Sequence, residues 1–156
     1  MNDIQTHEGQ LNAEGRSFAL VAARYNEIVS SRLIDGALDC LIRHGAVKED
    51  IELFRVPGSF EIPVTAQKLA GSGKFDAVIC LGTVIRGETP HFEFVASEAA
   101  RGVGKAGMDS GVPVVFGVVT TDTVEQAVDR AGGRTGNRGA EAAESAIEMV
   151  DLLHRI

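Results

Sequence analysis

The chain has 156 residues with 15 Lys+Arg and 22 Asp+Glu, giving a formal net charge of −7 at pH 7, and this length is typical of one domain. Hydrophobic residues make up 44% of the chain, which excludes intrinsic disorder over most of it. The acidic balance disfavours nucleic acid as the main partner, and no apolar run reaches the ~18 residues of a membrane span.

The chain start and the cysteines predict a cytoplasmic protein. Residues 1–14 are polar and acidic, unlike a signal peptide, and we expect them to form a flexible arm before a single domain over residues 15–156. Cys40 and Cys80 lie within apolar patterns. We therefore expect buried, reduced thiols rather than a disulfide.

Four short apolar runs alternate with longer stretches of helical spacing. The run 77–82 is continuously apolar, as in a central parallel strand, and 51–56 largely alternates with charge, as in an edge strand. The other predicted strands are 18–23 and 112–119. Helix boundaries follow from local signals. The first helix is predicted to end at His44-Gly45, the second to hold Pro63 in its first turn, and the third to begin at Thr89-Pro90. The fourth is predicted to be capped by Asp122 with Glu125 and to end near Gly132-Gly133, and the last to be capped by Asn137.

This alternation predicts an α/β fold. We expect a three-layer α/β/α sandwich around a four-stranded parallel sheet, with the flavodoxin-like strand order 2-1-3-4 and right-handed crossovers. Ligands bind beyond the carboxyl ends of the strands in such sheets. The site is therefore expected in the loops 24–27, 57–61, 83–91 and 120–122, which collect titratable, hydroxyl and aromatic groups.

His91 is the main candidate for acid–base chemistry. It follows Thr89-Pro90 at a predicted helix start, where the positive end of the dipole favours neutral imidazole, which can take up and return a proton. The alternative is a histidine that serves only as a local hydrogen-bond partner. His7, His44 and His154 show no metal-ligand spacing, so no metal site is expected.

Two features predict an anion site. Residues 87–90 can turn backbone N–H groups and a hydroxyl toward an anion at the same helix end. Arg130, Arg134 and Arg138 form the basic cluster of this acidic chain, and a guanidinium matches phosphate oxygens. The alternative for these arginines is a solvated helix end and loop.

Three other kinds of site are disfavoured by context. Residues 102–107 match G-x-G-x-x-G, but they follow a helical pattern rather than a strand, so a dinucleotide site is not expected. A flavodoxin needs a Ser/Thr-rich loop after its first strand, where residues 24–27 read RYNE. A response regulator needs aspartates where Ala23 and Thr83 stand.

Five blocks resemble one known family at similar separations. They are 24–27 (RYNE), 56–63 (VPGSFEIP), 81–92 (LGTVIRGETPHF), 116–127 (FGVVTTDTVEQA) and 130–139 (RAGGRTGNRG). Over residues 16–155 the chain resembles the 6,7-dimethyl-8-ribityllumazine synthases, which act in riboflavin biosynthesis. The resemblance implies a transferase that condenses 5-amino-6-(D-ribitylamino)uracil with 3,4-dihydroxy-2-butanone 4-phosphate. The products are 6,7-dimethyl-8-ribityllumazine, phosphate and water, and no cofactor is implied.

The resemblance also implies a role for each candidate residue. His91 would shuttle protons, Tyr25 would stack on the pyrimidine, and Arg130 would oppose the phosphate charge. In the family, Phe116 and Arg130 come from the adjacent subunit, so the pocket would exist only in an oligomer. The other implied contacts are Ser59, Phe60 and Glu61 with the ribityl chain and ring, Thr83, Val84 and Ile85 with the pyrimidine edge, and the N–H groups of Glu88 and Thr89 with phosphate.

Three positions depart from the commonest family pattern. Tyr25 replaces phenylalanine, so its hydroxyl needs a partner, and Ser59 replaces alanine, which adds a hydroxyl near the ribityl chain. Arg138 replaces lysine; it stays a further candidate, although the geometry of its charge differs.

The resemblance implies an assembly as well. Family members form pentamers, some of which close into icosahedral capsids, and residues 132–137 resemble the connection found in capsid-forming members. We expect a capsid in which the N-terminal arm adds a strand to a neighbour's sheet, with riboflavin synthase as a further partner.

Two alternatives stay open at this point. Archaeal-type riboflavin synthases look similar, and such an enzyme would consume the lumazine rather than form it. A non-catalytic shell or flavin-binding protein would bind riboflavin without turnover, although His91 and Arg130 weigh against it.

Overall fold

The computed structural model describes residues 3–156; residues 1 and 2 of the expected arm lie outside the described residues. Numbered along the chain, the strands of a four-stranded parallel sheet have the order 2-1-3-4, which confirms the predicted order. No helix in this part of the chain is long and apolar enough to cross a membrane. The strands are β1 (Phe18–Ala23), β2 (Ile51–Val56), β3 (Ala77–Ile85) and β4 (Val114–Thr121), and the helices are α1 (Glu27–Arg43), α2 (Ile62–Ala70), α3 (His91–Ser110), α4 (Val124–Asp129) and α5 (Arg138–Arg155).

The central strand β1 divides the core into two layers. Leu20 and Ala22 belong to a cluster with the buried residues of α1 and α5. Ala19 and Val21 belong to a second cluster with those of α2 and α3. Successive side chains of a strand point to opposite faces. The alternation in β1 therefore places helices on both faces, which confirms the three-layer α/β fold.

The predicted ends of β3 and β4 were too early. β3 continues three residues beyond Gly82, because residues 82–85 pair with residues 118–121 of β4. β4 begins and ends two residues later than predicted. Thr83 and Thr121 therefore lie within strands rather than in the loops that follow them.

The segment after β4 also differs from the prediction. The N-cap of α4 is Thr123, not Asp122; its hydroxyl accepts the Gln126 N–H at 3.1 Å. The helix ends at Asp129 rather than near the paired glycines, and a hairpin of β5 (Ala131–Gly133) and β6 (Gly136–Asn137) follows. Asn137 caps α5 as predicted, since its side chain accepts the N–H groups of the first turn.

Part of the expected N-terminal arm packs on the domain. The Gln10 N–H donates to the Asp151 carboxylate at 2.7 Å. The Ala13 N–H donates to the His44 carbonyl at 2.8 Å, and Ala13 is fully buried. Residues 10–13 thus contact α5 and the end of α1. The division into a flexible arm and one domain stays a prediction.

Both cysteines are free and buried, as predicted. Burial raises the pKa of the Cys80 thiol. Burial also raises the pKa of the Cys40 thiol, with a further contribution from the negative charges of Glu144 and Asp39. Neither thiol is therefore poised to act as a nucleophile.

Candidate active site

A cavity of about 590 Å³ opens at the carboxyl edge of the sheet. It is formed by the loop after β1, the short 3₁₀ turn Ser59–Glu61 after β2, the end of β3, and the first turns of α3. The candidate residues that line it are Tyr25, Ser59, Phe60, Glu61, Thr83, Val84, Ile85, Thr89 and His91. The first three predicted loops therefore meet at one site.

The remaining candidates lie elsewhere in the protomer. Phe116 is on the edge strand β4, where it is paired in register with Cys80 and 42% exposed. Arg130 directly follows α4, and Arg138 is the first residue of α5. Glu88 is exposed in the loop before α3, next to residues that line the cavity. None of these four side chains lines the cavity of its own chain.

The fourth predicted loop, residues 120–122, does not line the cavity. Its carboxylate has another partner: Asp122 accepts a hydrogen bond from Arg86 Nε at 2.8 Å. The expectation that all four strand ends would share one site was wrong at this loop, because β4 ends two residues later than predicted and Asp122 is engaged by Arg86.

The backbone around Tyr25 is held to the neighbouring strands. The Tyr25 N–H donates to the Pro57 carbonyl at 3.1 Å, and the buried Ser30 hydroxyl donates to the Tyr25 carbonyl at 3.3 Å. The residue as a whole is 74% exposed. The direction of its ring is therefore set mainly by its backbone rather than by packing.

Asn26 lines the same cavity and was not among the predicted site residues. Its Nδ2 donates to the Thr83 carbonyl at 3.1 Å, and its backbone is left-handed, with φ 62 and ψ 50. Asparagine tolerates this conformation better than most residues. An asparagine three residues after a buried strand was the available signal. Gly58 and Gly87, which lie in the predicted loops, also line the cavity, and so do Phe92, Phe94 and Val95, which were not predicted.

Two buried hydroxyls face no partner in the described part of the chain. Ser59 is 4% exposed and Thr83 is 3% exposed, and neither Oγ atom of these cavity residues makes a hydrogen bond. Leaving a buried polar group unsatisfied costs about 1–3 kcal/mol. Native proteins rarely accept this cost without a function. The pair is therefore suited to a polar ligand group or a bound water.

The carboxylate of Glu61 is oriented by the turn that carries it. One of its oxygens accepts the Gly58 N–H at 3.0 Å. Because a carboxylate has several acceptor positions, the group can accept further hydrogen bonds from ligand hydroxyls.

His91 is the first residue of α3 and is exposed. The first N–H groups of a helix have no partner within it and carry partial positive charge. The cavity therefore brings an imidazole and an anion-attracting helix end together, next to Thr89.

The three arginines of the predicted basic cluster differ in their partners. Arg134 pairs with Asp129 at 3.3 Å, and Arg138 pairs with Glu141. Arg130 Nη1 donates to the Gln126 carbonyl at 3.2 Å, and no carboxylate within residues 3–156 forms an ion pair with it. Arg130 therefore keeps a charge that an external anion can neutralise.

The sequence model of the 6,7-dimethyl-8-ribityllumazine synthase family matches residues 15–154. The chain belongs to this family. The 6,7-dimethyl-8-ribityllumazine synthase of Syntrophus aciditrophicus (strain SB) is 57% identical over 149 residues, which cover 96% of this chain and 97% of that protein. The predicted family is thus confirmed, and with it the assignment as a transferase of riboflavin biosynthesis.

Proposed function

We propose that the protein uses this cavity to condense 5-amino-6-(D-ribitylamino)uracil with 3,4-dihydroxy-2-butanone 4-phosphate. The products are 6,7-dimethyl-8-ribityllumazine, phosphate and water. The observation that carries the proposal is the meeting of Tyr25, His91 and the start of α3 around one cavity. They supply a stacking surface, a proton-transfer group and an anion site. The reaction needs these three and no cofactor.

The chemistry consists of proton transfers around carbon–nitrogen bond formation. The amine of the pyrimidine attacks the ketone, and the adduct loses water to give an imine. Phosphate then leaves by elimination, and the second nitrogen attacks the remaining carbonyl carbon and closes the ring with loss of a second water. His91, which lines the cavity, moves the protons in these steps.

The pyrimidine half of the site would be built on three strand ends. Tyr25 stacks on the ring, and the end of β3, residues Thr83 to Ile85, contacts its edge. The orphaned Ser59 and Thr83 hydroxyls and the Glu61 carboxylate bind polar groups of the ring and the ribityl chain, beside Phe60. Each unsatisfied hydroxyl gains a partner when the substrate binds.

The phosphate half would combine the helix end with a neighbouring subunit. The N–H groups of Glu88 and Thr89 bind the phosphate, and Arg130 of the next protomer neutralises it. Phe116 of that protomer covers the pyrimidine. Both residues lie outside the cavity of their own chain, and Arg130 keeps an uncompensated charge, as this arrangement requires.

The assembly proposed on this basis is a pentamer that closes into an icosahedral capsid in the cytoplasm. Riboflavin synthase, which consumes the product, is the proposed partner, and Arg138 stays a further candidate site residue. Static light scattering of the purified protein distinguishes a pentamer from a capsid.

Incubation with both substrates tests the reaction. We expect lumazine absorbance to appear together with equimolar inorganic phosphate. Consumption of added lumazine would instead indicate the archaeal-type riboflavin synthase reaction, and riboflavin binding without turnover would indicate a binding or shell protein. Either result would overturn the proposed reaction.

Mixed assemblies test the shared site. Co-expressing His91→Ala and Arg130→Ala chains with different tags yields some interfaces in which both residues are intact. We expect the doubly purified mixture to turn over faster than either variant. A mixture that equals the average of the two variants would place the complete site within one chain.

A further inference from the structure

Asn26 adopts a backbone conformation that is unusual in this chain. Among residues 3–156 it is the one non-glycine residue with positive φ. Such a conformation persists only when the surrounding contacts favour it, and it often marks a functional site. Asn26 is also half-buried at the cavity, directly after Tyr25.

The Asn26 side chain takes the place of a missing strand neighbour. β1 pairs with β3 only as far as Ala22 and Leu81, whereas β3 continues to Ile85. Beyond this point Asn26 Nδ2 donates to the Thr83 carbonyl at 3.1 Å. A buried carbonyl needs a donor, so the amide both satisfies β3 and fastens the end of β1 to it.

The same residue also begins α1. The Asn26 carbonyl accepts the N–H groups of Val29 and Ser30, at 3.1 and 3.0 Å. Asn26 thus joins the end of β1, the start of α1 and the end of β3. Tyr25 is 74% exposed, so its ring is attached to this junction through the backbone and has little packing of its own.

We propose that Asn26 is a positioning residue: its bond to the Thr83 carbonyl holds the Tyr25 ring over the cavity for the aromatic substrate. The claim that Asn26 helps to bind the aminopyrimidine rests on the proposed function. The claim that Asn26 holds the Tyr25 ring does not, because the mobility of the ring can be measured without substrate.

The chain offers an intrinsic probe of this ring. It contains one tyrosine and no tryptophan, so its tyrosine fluorescence comes from Tyr25 alone. Asn26→Gly keeps access to the left-handed conformation but removes the amide. Asn26→Asp tolerates the same backbone but presents an acceptor to the Thr83 carbonyl. We expect both variants to lower the fluorescence anisotropy of Tyr25 at an unchanged assembly size, with no more than the small fall in thermal midpoint that the loss of one hydrogen bond causes.

The kinetic readout separates positioning from a general structural role. We expect both variants to raise KM for 5-amino-6-(D-ribitylamino)uracil about three- to tenfold, the range for one hydrogen bond. KM for the phosphate substrate should change less than about twofold on the same grounds. Asn12→Gly is the matched control: within residues 3–156 the Asn12 side chain accepts only the exposed Glu14 N–H, and the anisotropy and kinetics of this variant should match those of the native protein.

Three outcomes overturn the inference. If Asn26→Gly matches the native protein, the amide does not hold the ring. If Asn26→Asp is normal while Asn26→Gly is impaired, restriction of the backbone, not the donated hydrogen bond, is what matters. If both KM values and the thermal midpoint change together, the role is structural. Quenching of the native Tyr25 fluorescence by 5-amino-6-(D-ribitylamino)uracil tests the proposed function separately. If the anisotropy of the variants changes as expected but this quenching is absent, the proposed function fails and the role of Asn26 in holding the ring stands.

Discussion

Arg86 Nε donates to a carboxylate oxygen of Asp122 at 2.8 Å, which joins the loop after β3 to the loop after β4. The same guanidinium lies 3.6 Å from the Glu93 carboxylate and 4.6 Å from the centroid of the Phe92 ring. The hydrogen bond to Asp122, more than any other contact, raises the pKa of Arg86 above its usual range. Glu93 and Phe92 belong to the first turn of α3, so Arg86 connects His91 to the sheet.

Arg86→Gln should reduce kcat with little change in the thermal midpoint. These ion pairs are largely exposed, and exposed pairs contribute little to stability. A small displacement of catalytic groups, however, can cost up to about 10²-fold in rate. Lys105→Gln is the control, because it removes an exposed pair with Asp109 near the far end of α3. Equal kcat values for the two variants would show that the start of α3 is held without Arg86.

His91→Ala should slow turnover without abolishing it. One general acid–base group contributes about 10²- to 10⁴-fold, whereas holding two reactants in place can contribute effective molarities of ~10⁵ M or more. Prolonged steady-state assays of lumazine absorbance measure the residual rate. His154→Ala, in the last turns of α5, is the control. Complete loss of turnover in a folded His91→Ala assembly would contradict this order of contributions.

Arg130→Met should raise KM for the phosphate substrate about tenfold or more, the loss expected for a charge-assisted hydrogen bond. KM for the aminopyrimidine should change little. Arg134→Met is a matched control, because Arg134 already pairs with Asp129. If both variants raise this KM equally, the basic cluster acts through its general field rather than through Arg130.

Gly139→Ala should destabilise the fold. A Cβ at this position would lie 2.0 Å from the Leu33 carbonyl oxygen, where α5 crosses α1. Forcing the helices apart typically costs about 1–3 kcal/mol, so the thermal midpoint should fall. Gly104→Ala in α3 has open space around it and should leave the midpoint unchanged or raise it, because alanine favours helix. A normal midpoint for Gly139→Ala would mean that the two helices can separate without cost.

Asp151 should make the attachment of residue 10 depend on pH. The Gln10 N–H, together with Arg155, lowers the pKa of this carboxyl. A group with a lowered folded-state pKa stabilises above its usual value, about 3.9 for Asp, and loses that contribution as the pH falls through the folded value. Hydrogen exchange at the Gln10 amide should therefore stay protected at neutral pH and lose protection only below about pH 4.

Asp151→Asn tests the pH dependence directly. Loss of the charge should remove the acid transition in protection of Gln10, while Asp109→Asn on α3 should leave it in place. An acid transition that persists in Asp151→Asn would assign it to another carboxyl.

Local patterns were sufficient for most of the fold. The continuous apolar run that starts at Ala77 and the helical spacing before His44 each predicted an element that the structure contains. The end of β3 was missed because Thr83 is polar, yet β4 extends alongside it and supplies its hydrogen bonds. The β5–β6 hairpin was missed because its glycine-rich sequence carries no strand pattern.

The candidate site was predictable where the topology brings strand ends together. Tyr25, Glu61 and His91 follow from the rule that ligands bind beyond the carboxyl ends of parallel strands. The engagement of Asp122 by Arg86 could not be foreseen, because it depends on the lengths of β3 and β4. Phe116 and Arg130 do not line the cavity of their own chain, and their contact with substrate in a neighbouring protomer stays a prediction.

The burial of both native thiols makes this protein convenient to label. Maleimide reagents attack exposed thiolates, whereas Cys80 is fully covered and Cys40 is 8% exposed. An added surface thiol, for example Ser72→Cys in the turn after α2, would react with a dye or cargo while the native pair stays untouched. A label can therefore be attached at a chosen position without first replacing the two native cysteines.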